Sequence, residues 1–571
     1  MMRTTTHEAQ RVGQNRSSRT ADAVALCMMG ALAMSFGWGF RGDYGHEAGA
    51  MVPGALLAMG VCLVSGRPDW SGRCAVMGLC GALGWAFGGQ MSYGQIPSYT
   101  VSHSFPDVAY GYACLFTVGA LWGGIGGAIL SMALTKARAE INRFIGPMVA
   151  VFASWYLAYL VIGLAPGLQE RFETFTEFVL HDTDWLPALL ALLVAGAYWL
   201  AAPKARPACD VILVMAAGWG VGYLVLVRLF GLHMSPTPAG SVRSDNWAGC
   251  AGMFAALLAY HWTQRNRAGL MLAMYGALAG GIGFAVGDFL NKPDKVRWAP
   301  LYGHEWLRGF DHWKWTEQSF GLIMGLGVAF GLLRLLRGNL ADPDEPAVPQ
   351  ASRLQNDAAA TRLNDFAVFF LLIPMLWLNL FKNVRKWAEP AVHAIPNEKL
   401  LGLPAPLWFL LIGVCLSLLV LYALVRHRRG ALPLAPATAL GKGQMLFLAI
   451  LWVAAVGALL QAFPGLKSKG ILFVHASFWL TAIVCTGLAL RPTGAALTWH
   501  PGAAFPPEDD RWRLGWRHGL LWALMPLLIF ALTALTLSMH DQPMPGSNLR
   551  FGPNAYHVSA GPGSAGILAG M

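Results

Sequence analysis

The sequence predicts an all-α polytopic membrane protein with about fifteen transmembrane helices and a parallel internal repeat of two four-helix units. Four observations carry that expectation. Hydrophobic residues make up 56 % of the 571 and charged ones 12 %. Stretches of about 18 to 24 apolar residues recur from end to end, each long enough to cross a hydrocarbon core as a helix. Two stretches about 200 residues apart share one template, and basic residues collect in alternate loops.

The elements follow in order. Residues 1–22 are polar and basic without an apolar core, unlike a cleaved signal peptide, and read as a cytoplasmic tail. Repeat unit one, 23–134, holds apolar stretches at 23–40, 48–66, 74–90 and 109–134. Two connecting helices, 145–165 and 186–202, lie within 135–209. Repeat unit two, 210–336, holds 210–232, 247–262, 269–290 and 318–336. Residues 337–364 are rich in Pro, Ala and charge and read as a cytoplasmic linker. Five plainer stretches, 365–382, 404–425, 444–463, 471–490 and 515–538, form a C-terminal membrane region. The Gly- and Pro-rich tail, 539–571, reads as irregular and extracytoplasmic.

The repeat rests on four matched elements. The first copy has GWGF from Gly37, Arg41-Gly-Asp43, AGAMVPGALLA from Ala48 and GALGWAFGG from Gly81. The second has GWGV from Gly218, Arg243-Ser-Asp245, AGCAGMFAALLA from Ala248 and GGIGFAVGD from Gly280. The last three keep an offset of 199 to 202, and the GWG element, offset by 181, requires an insertion. Two intervening helices make both units start from one side, so the repeat is parallel. Gly81, Gly84 and Gly88 line one helix face, as do Gly280, Gly283 and Gly287. Such faces either frame a cavity or serve tight packing between membrane helices.

Charge orients the chain. One set of loops, with the N-terminus, carries 25 of the 41 Lys and Arg against 13 of the 30 Asp and Glu, a net +12. The remainder nets −1. Positive charge stays inside, which places the N-terminus in the cytoplasm and the C-terminus outside an inner (plasma) membrane. The basic balance thus reflects orientation, and no basic folded domain points to nucleic acid. The nine cysteines lie in apolar stretches or at cytoplasmic ends, which argues against a disulfide framework, and zinc-ligand spacings are absent. No metal or other cofactor is assigned.

The polar residues crowd at the outer helix ends. Asp43, His46 and Glu47 follow the first helix, Gln90 the third, and Asp288 closes the ninth. The next loop adds His304, Glu305, Trp306, His312 and Trp313. Burying charge in lipid is costly, so these groups should face protein or a wet cavity. Asp43, His46, Glu47, Asp288, His304 and Glu305 are the candidates for acid–base catalysis, since a partly dry cavity tunes such groups toward neutrality. Arg41, Arg243, Asp245, Gln90, Trp306, His312 and Trp313 are the candidates for substrate binding. The Arg-x-Asp pairs either hold an anionic or hydroxylated ligand or clamp the chain's own turns. The tryptophans suit a sugar face or an interfacial belt. Glu170, Glu173 and Glu177 fit a short interfacial helix, and Asp184 an N-cap.

Two functions follow as expectations. The first is an integral membrane transferase or hydrolase with an extracytoplasmic cavity, acting on a glycan or lipid-linked polar substrate. Its layout, with Asp43 and Glu47 in the first external loop, is similar to that of lipid-linked glycosyltransferases, in arrangement and not in any shared motif. The second is a multi-pass solute transporter with its site where the two repeats meet. Membrane lipids are partners in both.

Overall fold

A computed structural model describes residues 21–41, 46–89, 91, 93, 96–176, 184–234, 245–301, 303–304, 310–337, 353–376, 379, 399–400, 402–404, 441–462, 469–491, 519 and 521–540, with scattered residues between 407 and 426. Apart from one two-stranded ladder, Lys399–Leu400 with Leu403–Pro404, its regular elements are helical. Seven helices among the described residues are long and apolar enough to cross a membrane, and five shorter apolar ones accompany them. An all-α, membrane-embedded chain is therefore what the sequence folds into.

The helices are α1 (Ala21–Arg41), α2 (His46–Val64), α3 (Cys74–Gly88) and α4 (Phe105–Thr135). Next come α5 (Ile145–Leu164), the short α6 (Pro166–Thr174) and α7 (Trp185–Ala201). They are followed by α8 (Arg206–Tyr223), α9 (Asn246–Thr263), α10 (Arg267–Phe289) and α11 (His312–Arg337). After the linker come α12 (Arg353–Phe370), α13 (Lys442–Ala462), α14 (Lys469–Leu490) and α15 (Met525–Leu537). The stretch expected over 404–425 and the tail from 541 lie mostly or wholly outside the described residues.

Close backbone approach organises the bundle. A Cβ on Gly280 would stand 2.1 Å from the Gly119 carbonyl, and one on Gly81 2.2 Å from that of Gly54, so α10 meets α4 and α3 meets α2 with no side chain between. Gly84 and Gly88 turn to α4, and Gly283 and Gly287 to α11. Gly37 faces Pro53 on α2, and Gly218 faces Gly252 on α9. Three indoles, Trp38, Trp85 and Trp122, fill the space around these contacts and are fully buried.

Polar side chains tie helix ends together on the side opposite the candidate site. Arg73, buried, donates to Ala133 O and Lys136 O, both 2.9 Å, and so satisfies the last carbonyls of α4. His261 meets Ala128 O at 3.1 Å, and Asn266 caps α10 by accepting from Gly269 N. These are structural ties.

Three local details bear on the expectations. Within the 337–364 stretch α12 starts at Arg353. Ala358, Ala359 and Ala360 favour helix, and Leu363 is buried against Val76 and Ile141. Asp184 takes the N-cap position of α7, but its carboxylate does not cap and instead accepts from Asn246 Nδ2 at 2.6 Å. Glu170 and Glu173 are exposed on α6, the helical run continues through residues 175–176, and Glu177 lies outside the described residues.

Candidate functional site

Arg41 is the last residue of α1, and it ends in the protein interior. Its Nη1 lies 2.5 Å from Glu317 Oε1 and donates to the Tyr93 hydroxyl at 2.7 Å. The Tyr93 hydroxyl in turn donates to the same Glu317 oxygen. The two charged side chains are 7 % and 1 % exposed, so this ion pair is screened by protein alone. Glycine explains how the arginine fits: a Cβ on Gly49 would stand 2.8 Å from Arg41 Cγ.

Aromatic rings close the surroundings. The guanidinium carbon is 5.5 Å from the Trp38 ring centre and 5.2 Å from those of Tyr93 and Trp122, within cation–π range. Phe284 and Phe320 pack behind Trp122, at 5.2 and 5.5 Å. Among the described residues, Arg41 Nε, Glu317 Oε2, Trp38 Nε1 and Trp122 Nε1 are buried and have no hydrogen-bond partner. Three donors and one acceptor thus stand among these packed rings. Burial also pushes the Tyr93 hydroxyl up from its ordinary range, against the pull of Arg41.

A second charged group sits beside it. Asp288, one residue before the end of α10, is 2.7 Å from Lys292 Nζ and 3.5 Å from Lys295 Nζ. Thr100 donates to Asp288 Oδ2 at 2.8 Å and also meets Lys292 Nζ. The i, i+4 spacing of Asp288 and Lys292 survives because the chain turns into a short helix, Lys292–Lys295, directly after α10. Burial pulls the Lys292 ammonium down to about 8, and Asp288 opposes that shift. Trp313 links the two groups, with its ring 5.2 Å from Lys295 Nζ and 6.0 Å from that of Tyr93.

The helices after the linker complete this end of the bundle. Ser477 on α14 donates to Gln318 Oε1 at 3.2 Å, while Ser35 donates to Gln318 O at 2.9 Å. Lys314 is buried, with Nζ 4.4 Å from the Phe478 ring. On α15, Thr536 meets the Tyr112 hydroxyl at 2.7 Å.

A third pair stands apart in the chain. His233 Nδ1 is 2.5 Å from Asp245 Oδ2, and Tyr110 donates to His233 O at 3.1 Å. A π-helical turn, Leu224–Leu229, followed by Gly231 at φ +64, swings the chain back to bring His233 over Asp245.

The sequence-derived candidates divide accordingly. Arg41, Asp288 and Trp313 are brought together. His312 starts α11, where its carbonyl accepts from Asn291 at 2.8 Å. His304 is exposed on the turn after Leu301, and Asp288 is held by two lysines and a threonine rather than by it. Asp245 belongs to the His233 pair. Asp43, Gln90, Arg243, Glu305 and Trp306 lie outside the described residues, as do the side chains of His46 and Glu47 at the start of α2. Glu317, Tyr93 and Lys292 stand in the set of polar residues that the sequence places at these helix ends but are not among the site candidates, and Thr100 carries no signal. Glu317 stands in the polar first turns of α11, between Lys314 and Gln318, directly before the apolar stretch from 318. Among the described residues, no three His, Cys, Asp or Glu side chains form a group able to hold a metal. Comparison with protein-family models, curated proteins and solved structures finds no match to this chain.

Proposed function

We propose that the chain is a proton-coupled transporter of small anionic solutes, with its binding chamber at the junction of the 23–134 and 210–336 units. One observation carries this reading: two buried ion-pair groups each take residues from both stretches. Arg41 and Tyr93 join Glu317, and Thr100 joins Asp288 and Lys292. A site at the meeting of duplicated units is the usual arrangement in secondary transporters. Charged groups with access to a pathway are also the usual reason for bearing the burial cost.

The chemistry follows from the pairing. With Glu317 ionised, its oxygen occupies the guanidinium of Arg41. A proton on Glu317 weakens that pair and frees Arg41 to take the carboxylate or other anionic group of a solute, with the indole N–H groups of Trp38 and Trp122 as further donors. Proton and anion then enter together, and the charge of the chamber is unchanged. Lys292 and Lys295 against Asp288 leave one positive charge nearby, which favours an anion.

The test is uptake into liposomes carrying the purified chain, with the outside more acidic and a panel of small carboxylates, phosphate and sulfate. Wild type should accumulate at least one solute only under the gradient, and R41K should lose binding. E317Q should bind without pH dependence and fail to concentrate the solute. Uptake equal to empty liposomes across the panel, or R41K indistinguishable from wild type, would refute the reading.

A second reading is favoured by the His233–Asp245 pair, since a carboxylate that orients a histidine is a common acid–base device. In that case the chain is an enzyme acting on a glycan or lipid-linked substrate. Turnover lost in H233A but kept in R41K would select it.

A further inference from the structure

At the end of the bundle tied by Arg73 and Asn266, a pocket opens between the ends of α4, α8 and α9 and the short helix Arg138–Asn142 that leads into α5. It holds about 650 Å³, within the usual range of a small-molecule site. One wall is apolar, with Leu213 and Val214 of α8, and the other carries Lys136, Glu140, Arg143 and Tyr260.

The acids of this pocket are engaged. Glu140 faces Lys136 at 3.7 Å, and Asp210 accepts from Trp199 Nε1 at 2.9 Å. Arg143 lines the pocket exposed and without an ion pair among the described residues. Arg265 directly follows the lining Gln264, Arg267 opens α10, and both are exposed. Four cations, Lys136, Arg143, Arg265 and Arg267, thus stand in or next to the pocket against two acids. Positive charge is in excess there.

Phe144 lines this pocket and also an apolar groove on the flank of the bundle. The groove passes Leu83, Met148 and Met215 and runs roughly 15 Å along α5, from Ile145 to Trp155, at the helical rise. That is about half the hydrocarbon thickness of a bilayer, the depth of one leaflet. Trp155 donates to Pro187 O at 2.9 Å near the far end, where the Asp184 carboxylate is taken up by Asn246. The groove therefore presents apolar contacts, and the polar groups lie beyond its Phe144 end.

We infer that pocket and groove form one binding site for an anionic phospholipid of the phosphatidylglycerol kind. The phosphate accepts from Arg143 and Lys136, and one acyl chain passes Phe144 to lie along the Leu83–Met148–Met215 wall. Guanidinium and phosphate make charge-assisted bonds, and basic pockets between membrane helices hold anionic headgroups. A choline or ethanolamine headgroup brings its own cation up to Arg143, Arg265 and Arg267, which offsets the gain at the phosphate. The thioethers of Met148 and Met215 adapt to chains of varied shape. The inference is independent of the transport and enzyme readings.

The experiment purifies the full chain in mild detergent and adds vesicles of equal parts phosphatidylglycerol, phosphatidylcholine and phosphatidylethanolamine. Retained lipid is then counted by native mass spectrometry. Wild type should retain phosphatidylglycerol about fivefold over each of the others, the effect of one well-placed cation. R143Q should bring that ratio close to one. R334Q, on α11 and lining neither cavity, should keep it. A188F, which narrows the groove, should lower the retained count while the ratio stays as in wild type. If A188F unfolds, L83W gives the same readout from the opposite wall. Equal retention of the three lipids by wild type, an unchanged ratio in R143Q, or an equal loss in R334Q would overturn the assignment.

Discussion

Gln318 on α11 takes the Ser477 hydroxyl of α14 at its side-chain oxygen, 3.2 Å away, one residue after the glutamate that holds Arg41. The helices beyond the linker are therefore tied to the helix turn that carries Glu317. Removing Ser477 alone leaves a buried amide oxygen short of a donor, at a cost of about 1–3 kcal/mol. S477A should lower the thermal midpoint of the purified chain, and Q318L/S477A should recover part of the loss. A double variant less stable than S477A would show that the amide has other work in the core.

The Arg41–Glu317 pair gives a sharper contrast. Truncating one member of a buried ion pair strands the other and typically costs about 3–5 kcal/mol, whereas replacing both by apolar residues of similar volume is often near neutral. R41M and E317M should each be strongly destabilised, and R41M/E317M should recover most of the loss while remaining inactive. Additive losses in the double variant would show that the pair is not coupled as its geometry requires.

Close glycine contacts predict opposite outcomes for one substitution. G280A sets a methyl against the Gly119 carbonyl, and overpacking of this kind costs about 1–3 kcal/mol. Gly163 has nothing within 4 Å of a built Cβ, so G163A should be neutral or stabilise α5 by about 0.4–1 kcal/mol. Thermal unfolding of both variants in one detergent makes the comparison, and equal losses would contradict the α4–α10 contact.

Lys292 supplies a pH dependence. Its folded value of about 8 lies below the unfolded 10.5, so the unfolded chain binds the extra proton between them. Stability should therefore be lowest below pH 8 and rise with pH toward 10.5. Above about pH 10 the tyrosines oppose this, because burial holds Tyr93 and Tyr99 protonated in the folded state. Midpoints measured between pH 7.5 and 10 should climb in wild type and stay flatter in K292M. Matching slopes would remove Lys292 as the cause.

Orientation is open to direct measurement. Reporter fusions after Ser71, Asp107, Pro349 and Gly563 should read inside, outside, inside and outside, as the charge split requires. A cytoplasmic reading at Asp107 would overturn this orientation.

The helical, membrane-embedded nature of the chain was legible because apolar length is a property of each segment alone. Close packing through Gly81 and Gly280 was legible for the same reason, being written at helical spacing on single helices. The chamber was legible only in part. Arg41, Asp288 and Trp313 drew attention as charges and aromatics at helix ends. Glu317 and Tyr93 stood among the same polar residues, but nothing local joined them to Arg41, because Glu317 is 276 positions from Arg41, just as Thr100 is 188 from Asp288. A sequence read locally pairs Arg41 with the nearby Asp43, whereas the tertiary fold supplies Glu317. Lys292 was the exception, lying one helical turn after Asp288.

The distance along the chain between Arg41 and Glu317 also bears on how the protein is made. At roughly 5–20 residues per second of synthesis, the arginine leaves the ribosome on the order of tens of seconds before its partner exists. During that interval α1 carries an uncompensated guanidinium at its C-terminal end, where a long side chain can reach the headgroup region and stay hydrated. Its partner in the folded chain, Glu317 on α11, is thus a residue made in the second half of synthesis.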